Sequence, residues 1–201
     1  MKAVVFVGPS LPGKGGLDPS VEVRPPAAAG DLYRAVRSGA DLIALIDARF
    51  EDRLTVLHQE ILFALSEGVH VWGAASMGAL RAVECGPFGM RGFGRIYEMY
   101  RDGVLEDDHE VAVLYGPAEL GFLPLTVPLV SVRATMADAV AAGLLGEPDA
   151  QAVTDIAQDT HYKNLTWEAV LASLPAGMAQ EPLAEWLKTG AVDLKARDAE
   201  Q

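Results

Sequence analysis

The sequence has one cysteine, no basic cluster and no long apolar run, and each absence excludes a class of protein. The single cysteine, Cys85, excludes an internal disulfide and a cage of thiolates around a metal, and we interpret it as structural. A net charge of -12 would repel phosphate backbones, so no nucleic-acid partner is expected. No apolar stretch approaches the roughly 20 residues that span a bilayer, and no signal-peptide pattern is present. We therefore expect a cytoplasmic protein with no membrane partner.

What the sequence does have is the composition of a folded domain, with 50% hydrophobic and 22% charged residues. Segments typical of strands and of helices alternate over the first two thirds of the chain. This alternation predicts an α/β fold with a layered, largely parallel central sheet and flanking helices. Strands are expected at 3–7, 21–23, 41–46, 69–73 and 111–115, and helices at 31–38, 54–66 and 77–84.

From about residue 131 the strand signals stop and helical periodicity takes over. Val132, Met136, Val140 and Leu144 recur every four residues, as on one face of a helix. We predict an α/β core at 1–130 and a C-terminal helical appendage at 131–201, packed on the core. The polar tail from Lys195 to Gln201 is expected to fray.

The most informative stretch is HVWGAASMGALRAVE, residues 70–84, which predicts a buried strand that turns at small residues and restarts as a helix after Ser76. The amides of Met77 and Gly78 would then lie at a helix N-terminus without intrahelical acceptors, where they can hold an oxyanion. The segment approaches the G-x-S-x-G nucleophile elbow, with Ala74 in place of the first glycine. The alternative is that Ser76 only caps the helix.

Loops after the strands of an open α/β sheet converge on one edge, where ligands bind. The loop at 8–16 carries Gly8, Gly13 and Lys14 of a nucleotide-binding P-loop, but a glycine replaces the Ser or Thr that would hold magnesium. No convincing helix follows to present its N-terminus to phosphate. We therefore expect no nucleotide and no other cofactor, and assign the loop to the Ser76 cleft, with Ser10 or backbone amides facing it.

A serine nucleophile needs an activating group, and His58 is the best-placed histidine because it follows the third strand at the correct edge. A packed core histidine is the alternative, since His58 lies four residues after Leu54. His70 begins the strand that ends near Ser76 and would lie roughly 20 Å away. Acidic residues surround His109, which indicates a solvated loop in preference to a metal site, and no metal is expected. Four other residues stay open as the base: His109, His161, Lys14 and Lys163.

Several motifs occur here in the order found in a known family, and through them the chain resembles the TfuA-like proteins. GAASMGALRAVE at 73–84 is the most specific of them. The resemblance extends over roughly residues 5–116 and includes VGPSL at 7–11, RPPA at 24–27, LIDARF at 45–50, FGMRGFGRIYEMYRDG at 88–103 and DDHEVAVLYG at 107–116.

The resemblance implies a place in sulfur supply. TfuA-like proteins are associated with YcaO enzymes, which use ATP to modify peptide backbone amides, and YcaO–TfuA pairs are linked to peptide thioamides. The resemblance therefore implies a cytoplasmic hydrolase that releases sulfide from a thiocarboxylated, ThiS-like carrier protein for a YcaO partner. The alternative is a noncatalytic adaptor that recruits or activates the YcaO enzyme.

On the hydrolase hypothesis, Ser76 attacks the thiocarboxylate carbonyl as the nucleophile of a serine-dependent enzyme. His58 deprotonates it and Asp47 orients the histidine. Ser10 and Arg81 position the substrate. The oxyanion is held by amides near Met77 and Gly78 and in the Gly8 loop.

Overall fold

The computed structural model describes residues 1–14, 17–50, 53–178 and 180–201, and of Lys14 the backbone alone. The chain divides into two compact units. The first comprises 1–108, 116–123 and 195–201, and the second comprises 109–115 and 124–194.

The first unit is built on a sheet of five parallel strands in the order β2-β1-β3-β4-β5. The predicted α/β fold with a parallel central sheet is confirmed. In β3 and β4, Leu45 pairs with Gly73, so the two strands end side by side. The strands are β1 (Ala3–Phe6), β2 (Glu22–Arg24), β3 (Leu42–Leu45), β4 (His70–Ala74) and β5 (Arg91–Phe93).

Helices flank the sheet and also form most of the C-terminal third, as the periodicity predicted. In chain order they are α1 (Asp31–Arg37), α2 (His58–Ser66), α3 (Met77–Cys85), α4 (Gly94–Arg101), α5 (Leu129–Ala141), α6 (Glu147–Asp159), α7 (Trp167–Ala172), α8 (Gln180–Gly190) and α9 (Leu194–Ala199). Within the described part of the chain, none of them is both long and apolar enough to cross a membrane.

The two faces of the sheet belong to separate apolar clusters. Along β1, Val4 and Phe6 face one cluster, which α1, α2 and α3 help to form, while Val5 faces the other. Ala199 of α9 packs against this second cluster. Because both faces are covered, the central strands β1 and β3 are continuously apolar, as is typical of parallel sheets.

The second unit has its own core, formed along α5 and α6. Val132 and Met136 are buried there, and Val140 and Leu144 pack against it, as their spacing predicted. The predicted boundary after residue 130 falls in the first turn of α5.

Three sequence predictions about single elements are wrong. The segment 111–115 is not a strand: residues 108–111 form a 3₁₀ turn, and Tyr115 makes only an isolated bridge. The fifth strand is β5, whose three residues RGF carry no apolar alternation to detect. Helix α2 begins at His58, and Leu54 is 66% exposed, so the helix predicted at 54–66 is shorter than expected.

The C-terminal tail also differs from its prediction. Residues 194–199 form α9, in which Lys195 and Asp198 are buried. The tail is therefore part of the first unit and does not fray.

Candidate functional site

The switch point of the sheet lies between β1 and β3. From β1 the chain goes to β2 on one side and then returns to β3 on the other, so the loops after β1 and β3 part at this point. In open α/β sheets this crevice at the carboxyl ends of the strands is where ligands bind. The residues that follow the two strands here are Gly8 to Ser10 and Asp47.

Asp47 is the centre of a buried polar cluster at this point, with 1% of its surface exposed. Its Oδ2 accepts hydrogen bonds from the amides of Gly8 and Ser10, both at 2.9 Å, and its Oδ1 accepts from Ser10 Oγ at 2.7 Å. The Nζ of Lys195 lies 3.7 Å from Oδ1. A buried carboxylate is costly unless it is paired and hydrogen-bonded, and these donors and the cation meet that requirement.

The strand–turn–helix predicted around Ser76 is present. Strand β4 ends at Ala74, Ala75 takes a left-handed φ of 63°, and Ser76 is the N-cap of α3. A non-glycine residue in that region is strained, and such strain persists only where the surrounding packing fixes it. The turn thus presents Ser76 in one defined position at the edge of the sheet.

Two glycines allow α3 to approach the strands this closely. A Cβ on Gly78 would lie 1.7 Å from the carbonyl oxygen of Leu45, and one on Gly73 would lie 2.1 Å from that of Gly78. Backbone therefore packs directly on backbone at both positions. Because Leu45 pairs with Gly73, Asp47 and Ser76 follow the ends of adjacent strands.

The Ser76 side chain has no structural task that accounts for it. Ser76 is 6% exposed, its hydroxyl makes no capping hydrogen bond, and it has no other partner among the described residues. It is also not one of the fully buried polar atoms that lack a partner. The interpretation of Ser76 as a helix-capping side chain is therefore not supported, and the hydroxyl retains access to solvent.

The three predicted oxyanion donors differ in availability. The Gly78 amide donates to the carbonyl of Ile46 at 3.2 Å, and the Gly8 amide donates to Asp47. Within the described residues, the Met77 amide alone of the three has no acceptor. The structure thus leaves one backbone donor beside Ser76.

His58 lies away from Ser76. Its Nε2 is 2.9 Å from Oε2 of Glu84, which also pairs with Arg81. Glu84 is in the last turn of α3, about 12 Å along the helix from Ser76. The structure therefore joins His58 and Arg81 at the far end of α3 and brings neither His58 nor Asp47 into the predicted triad.

The other candidate bases come from other parts of the chain. His109, His161 and Lys163 belong to the second unit. There the Lys163 amide donates to Nδ1 of His161, and the Lys163 ammonium lies over the Tyr162 ring. The side chain of Lys14 lies outside the described residues, as do Gly15 and Gly16 of the proposed P-loop. Over the described ranges, no three His, Cys, Asp or Glu residues group as a metal site would require.

Sequence reasoning missed the residues that α9 contributes. Lys195 pairs with Asp47, and Asp198 binds the N-terminus of α4 by accepting from the amides of Arg95 at 3.0 Å and Ile96 at 2.7 Å. Burial raises the pKa of Asp198, and the two amide hydrogen bonds oppose that rise. The only available signal was their three-residue spacing, which places Lys195 and Asp198 on one helical face.

Gly94 makes room for Asp198. Its φ is +89°, and a Cβ there would lie 2.5 Å from the Asp198 carboxylate. Helix α9 is therefore held at one end by Lys195 and at the other by Asp198, against the same edge of the sheet that carries Ser76.

Comparison with protein families gives a match. The family model described as TfuA-like protein matches residues 47–166, well over half of the chain. Asp47 and Ser76 lie within the matched range, whereas Ser10 and Lys195 lie outside it. No curated protein matches the chain.

Proposed function

This chain belongs to the TfuA-like family, and we propose that it is a hydrolase that releases sulfide from a thiocarboxylated, ThiS-like carrier protein. The sulfide would supply a YcaO enzyme for thioamidation of a peptide backbone, in the cytoplasm. Ser76 is the nucleophile in this proposal.

One observation supports the proposal above the others. A serine hydroxyl without a hydrogen-bond partner in the described chain stands at a strained turn, beside a free Met77 amide. Its neighbour across the strand ends is Asp47, which holds a buried lysine. Unused polar groups gathered at the carboxyl edge of a parallel sheet are typical of active sites.

The proposed reaction has two steps. In the first, Ser76 Oγ bonds to the thiocarboxylate carbon, the C–S bond breaks, and the serine proton leaves with the sulfur as HS⁻. In the second, water cleaves the resulting ester, which regenerates Ser76 and gives the carrier carboxylate and one proton. The Met77 amide holds the negative oxygen that develops in both steps.

Lys195 has a role in this proposal that differs from the one predicted for His58, because it offsets charge and does not act as the base. A thiocarboxylate is an anion and resists attack by a nucleophile, so a nearby cation must offset its charge. Lys195 is a buried cation at this edge of the sheet, and its Nζ lies 3.7 Å from Oδ1 of Asp47. We assign Lys195 to the stabilisation of the bound anion, and Ser10 and Asp47 to its positioning.

Sulfide release from a purified thiocarboxylated carrier tests the proposal. Ser76→Ala should lower the rate by about a thousandfold or more, because a deleted nucleophile is not replaced. Ser66→Ala, which removes a serine from the surface of α2, should release sulfide at the wild-type rate. Equal sulfide release by Ser76→Ala and wild type, with equal melting temperatures, would contradict the assignment.

A noncatalytic adaptor is the second candidate, and the low exposure of Ser76 favours it. Only 6% of the Ser76 surface is exposed, and two of the three predicted oxyanion amides have other acceptors. An adaptor should bind and stimulate a YcaO enzyme supplied with free sulfide, and Ser76→Ala should do so equally well. If the protein is instead a hydrolase, a YcaO enzyme that is supplied with free sulfide should not need it.

A further inference from the structure

A cavity of about 550 Å³ in the first unit is lined by three arginines. Arg49 and Arg53 come from the segment after β3, and Arg34 comes from α1. Pro25 and Pro26, which follow β2, also line it. Two segments, α1 and the one after β3, thus contribute arginines to one concave surface.

The charge of this surface is opposite to that of the chain. Asp31 is the one carboxylate among the described residues that line the cavity, and it already accepts hydrogen bonds from Arg34 Nη2 at 2.8 Å and from the Ala28 amide at 2.7 Å. The chain as a whole carries a net charge of -12. A positive concave surface on an acidic protein concentrates anions locally.

Arginines elsewhere in this protein mostly face carboxylates. Arg24 pairs with Glu22, Arg95 with Glu98 and Arg133 with Glu110. Arg53 has no such partner among the described residues, whereas Glu51 and Asp52 lie outside them. Arg53 is therefore the arginine of this cavity whose hydrogen-bonding capacity the described chain leaves unused.

We propose that this cavity is a binding site for an organic anion, recognised through its carboxylate or phosphate group. The planar guanidinium fork matches the oxygen atoms of either group. The volume lies in the range of small-molecule sites and exceeds the space that a single inorganic ion needs.

The cavity adjoins the Asp47 cluster. A Cβ on Gly8 would lie 2.4 Å from Cγ of Pro26, and the Ala27 amide donates to the Asp47 carbonyl at 3.0 Å. One layer of backbone thus separates the lining of the cavity from the Asp47 carboxylate. An anion held by the arginines would be anchored at the same edge of the sheet as Ser76, and this inference holds whether or not Ser76 is a nucleophile.

Binding of small anions to the full chain tests the proposal. The probes are pyrophosphate for the phosphate group, and glycylglycine for the carboxylate, with glycylglycinamide as the counterpart that lacks the carboxylate. Titration is followed by calorimetry and by the arginine Nε–Hε resonances in NMR spectra. Saturable binding of pyrophosphate, or of glycylglycine but not its amide, with shifts of the Arg34 and Arg53 resonances, supports the site and identifies the group.

Matched variants separate this site from general charge effects. Arg53→Gln should weaken binding about tenfold or more, because a charge-assisted bidentate contact is lost. Arg53→Lys keeps the charge but loses the fork and should have an intermediate affinity. Arg37→Gln removes an equal charge from the last turn of α1, outside the cavity lining, and should bind as wild type does.

Two results would overturn the proposal. One is that neither probe binds saturably at millimolar concentration. The other is that Arg37→Gln weakens binding as much as Arg53→Gln, which would show attraction by net charge alone. Ser76→Ala should leave the affinity unchanged, so failure of the proposed hydrolysis and failure of this site give different results.

Discussion

The two units of the molecule bury different kinds of polar group. The first unit contains all the charged residues that are buried in the described chain: Asp47, Glu60, Lys195 and Asp198. Among the described residues of the second unit, the buried polar side chains belong to hydroxyl residues, namely Thr126, Ser131, Thr135 and Thr154.

Those hydroxyls all bond to backbone. Thr135 and Thr154 donate to the carbonyl four residues earlier, and Thr126 and Ser131 accept from amides. Such bonds satisfy backbone groups, some within one helix and some, such as the bond from the Leu194 amide to Ser131, between distant segments. The first unit instead buries charges, and Asp47 and Lys195 among them lie at the carboxyl edge of the sheet that also carries Ser76.

Buried charge is expensive unless it is fully paired, so its distribution shows where function constrains the fold. Glu60 is a structural exception, because its carboxylate accepts amides at the start of α1 and α2. The pair of Asp47 and Lys195 has no comparable role in capping the start of a helix. The comparison therefore points to the first unit as the place of the candidate site, and the variants below test it.

Gly78→Ala should have the largest effect on stability. The added Cβ would meet the Leu45 carbonyl oxygen at 1.7 Å, and backbone cannot rotate away as a side chain can. We expect a loss above about 4 kcal/mol in the free energy of unfolding, or no folded protein. Gly143→Ala in the second unit has a φ of +70° and nothing within 4 Å, so it should lose only about 1–2 kcal/mol. Urea denaturation of both variants measures the difference.

Asp47→Ala should have the second largest effect on stability. We expect a loss of about 3–5 kcal/mol in the free energy of unfolding, because Lys195 and the donors of Gly8 and Ser10 lose their acceptor. Adding Lys195→Met removes the unpaired charge, so the double variant should be more stable than Asp47→Ala alone. Chemical denaturation of the single and double variants gives the coupling energy. Additive losses would mean that the two side chains do not stabilise each other.

Asp198→Asn should lower stability at neutral pH by about 1–3 kcal/mol, because the amide group cannot accept from both Arg95 and Ile96. The pKa of Asp198 is raised in the folded state above its ordinary 3.8. The folded protein thus binds the proton of the Asp198 carboxyl more tightly than the unfolded chain does. The stability that results is fully present below pH 3.8 and is lost as the pH rises through the raised pKa of the folded state.

Thermal unfolding of the wild type and Asp198→Asn across this pH range checks the sign. The stability difference should widen as the pH falls from the raised value toward 3.8 and stay constant below it. A difference that narrows in this window would show that the amide hydrogen bonds outweigh burial.

Thr154→Val in the second unit should have the smallest effect. Its hydroxyl donates to the Ala150 carbonyl at 2.9 Å, within one helix, and valine has nearly the same shape. We expect a change within about 1 kcal/mol, measured by denaturation. A loss as large as that of Asp47→Ala would remove the contrast between the two units.

The elements that sequence reasoning recovered share a local origin. Runs such as VVF and LIAL predicted buried parallel strands, and GAASMG predicted the turn at Ser76, because apolar residues and small residues express their preference over a few positions. The short strand β5 was missed because RGF has no periodic pattern. The start of α2 was predicted too early because Leu54 has helical spacing from the apolar residues of α2, yet it is exposed and lies before the helix.

The side chains that contact the site residues were harder to predict. His58 follows the correct strand, but its ring turns to Glu84 on the adjacent helix. Asp47 was identified, yet its partners are Ser10 and Lys195 and not a histidine. Which charged side chains meet depends on the angles between packed helices and strands, and single-sequence patterns do not contain those angles.

The sequence by itself determined the parallel sheet, the helical C-terminal part and the presentation of Ser76 after β4, because each depends on hydrophobicity and steric freedom within a short window. Only the tertiary structure decided that a charged tail becomes α9, with Asp198 bound to an amide 103 residues earlier and Lys195 bound to Asp47. The physical reason is that a lysine or aspartate prefers water until a partner offsets its desolvation, and that partner comes from a distant part of the chain.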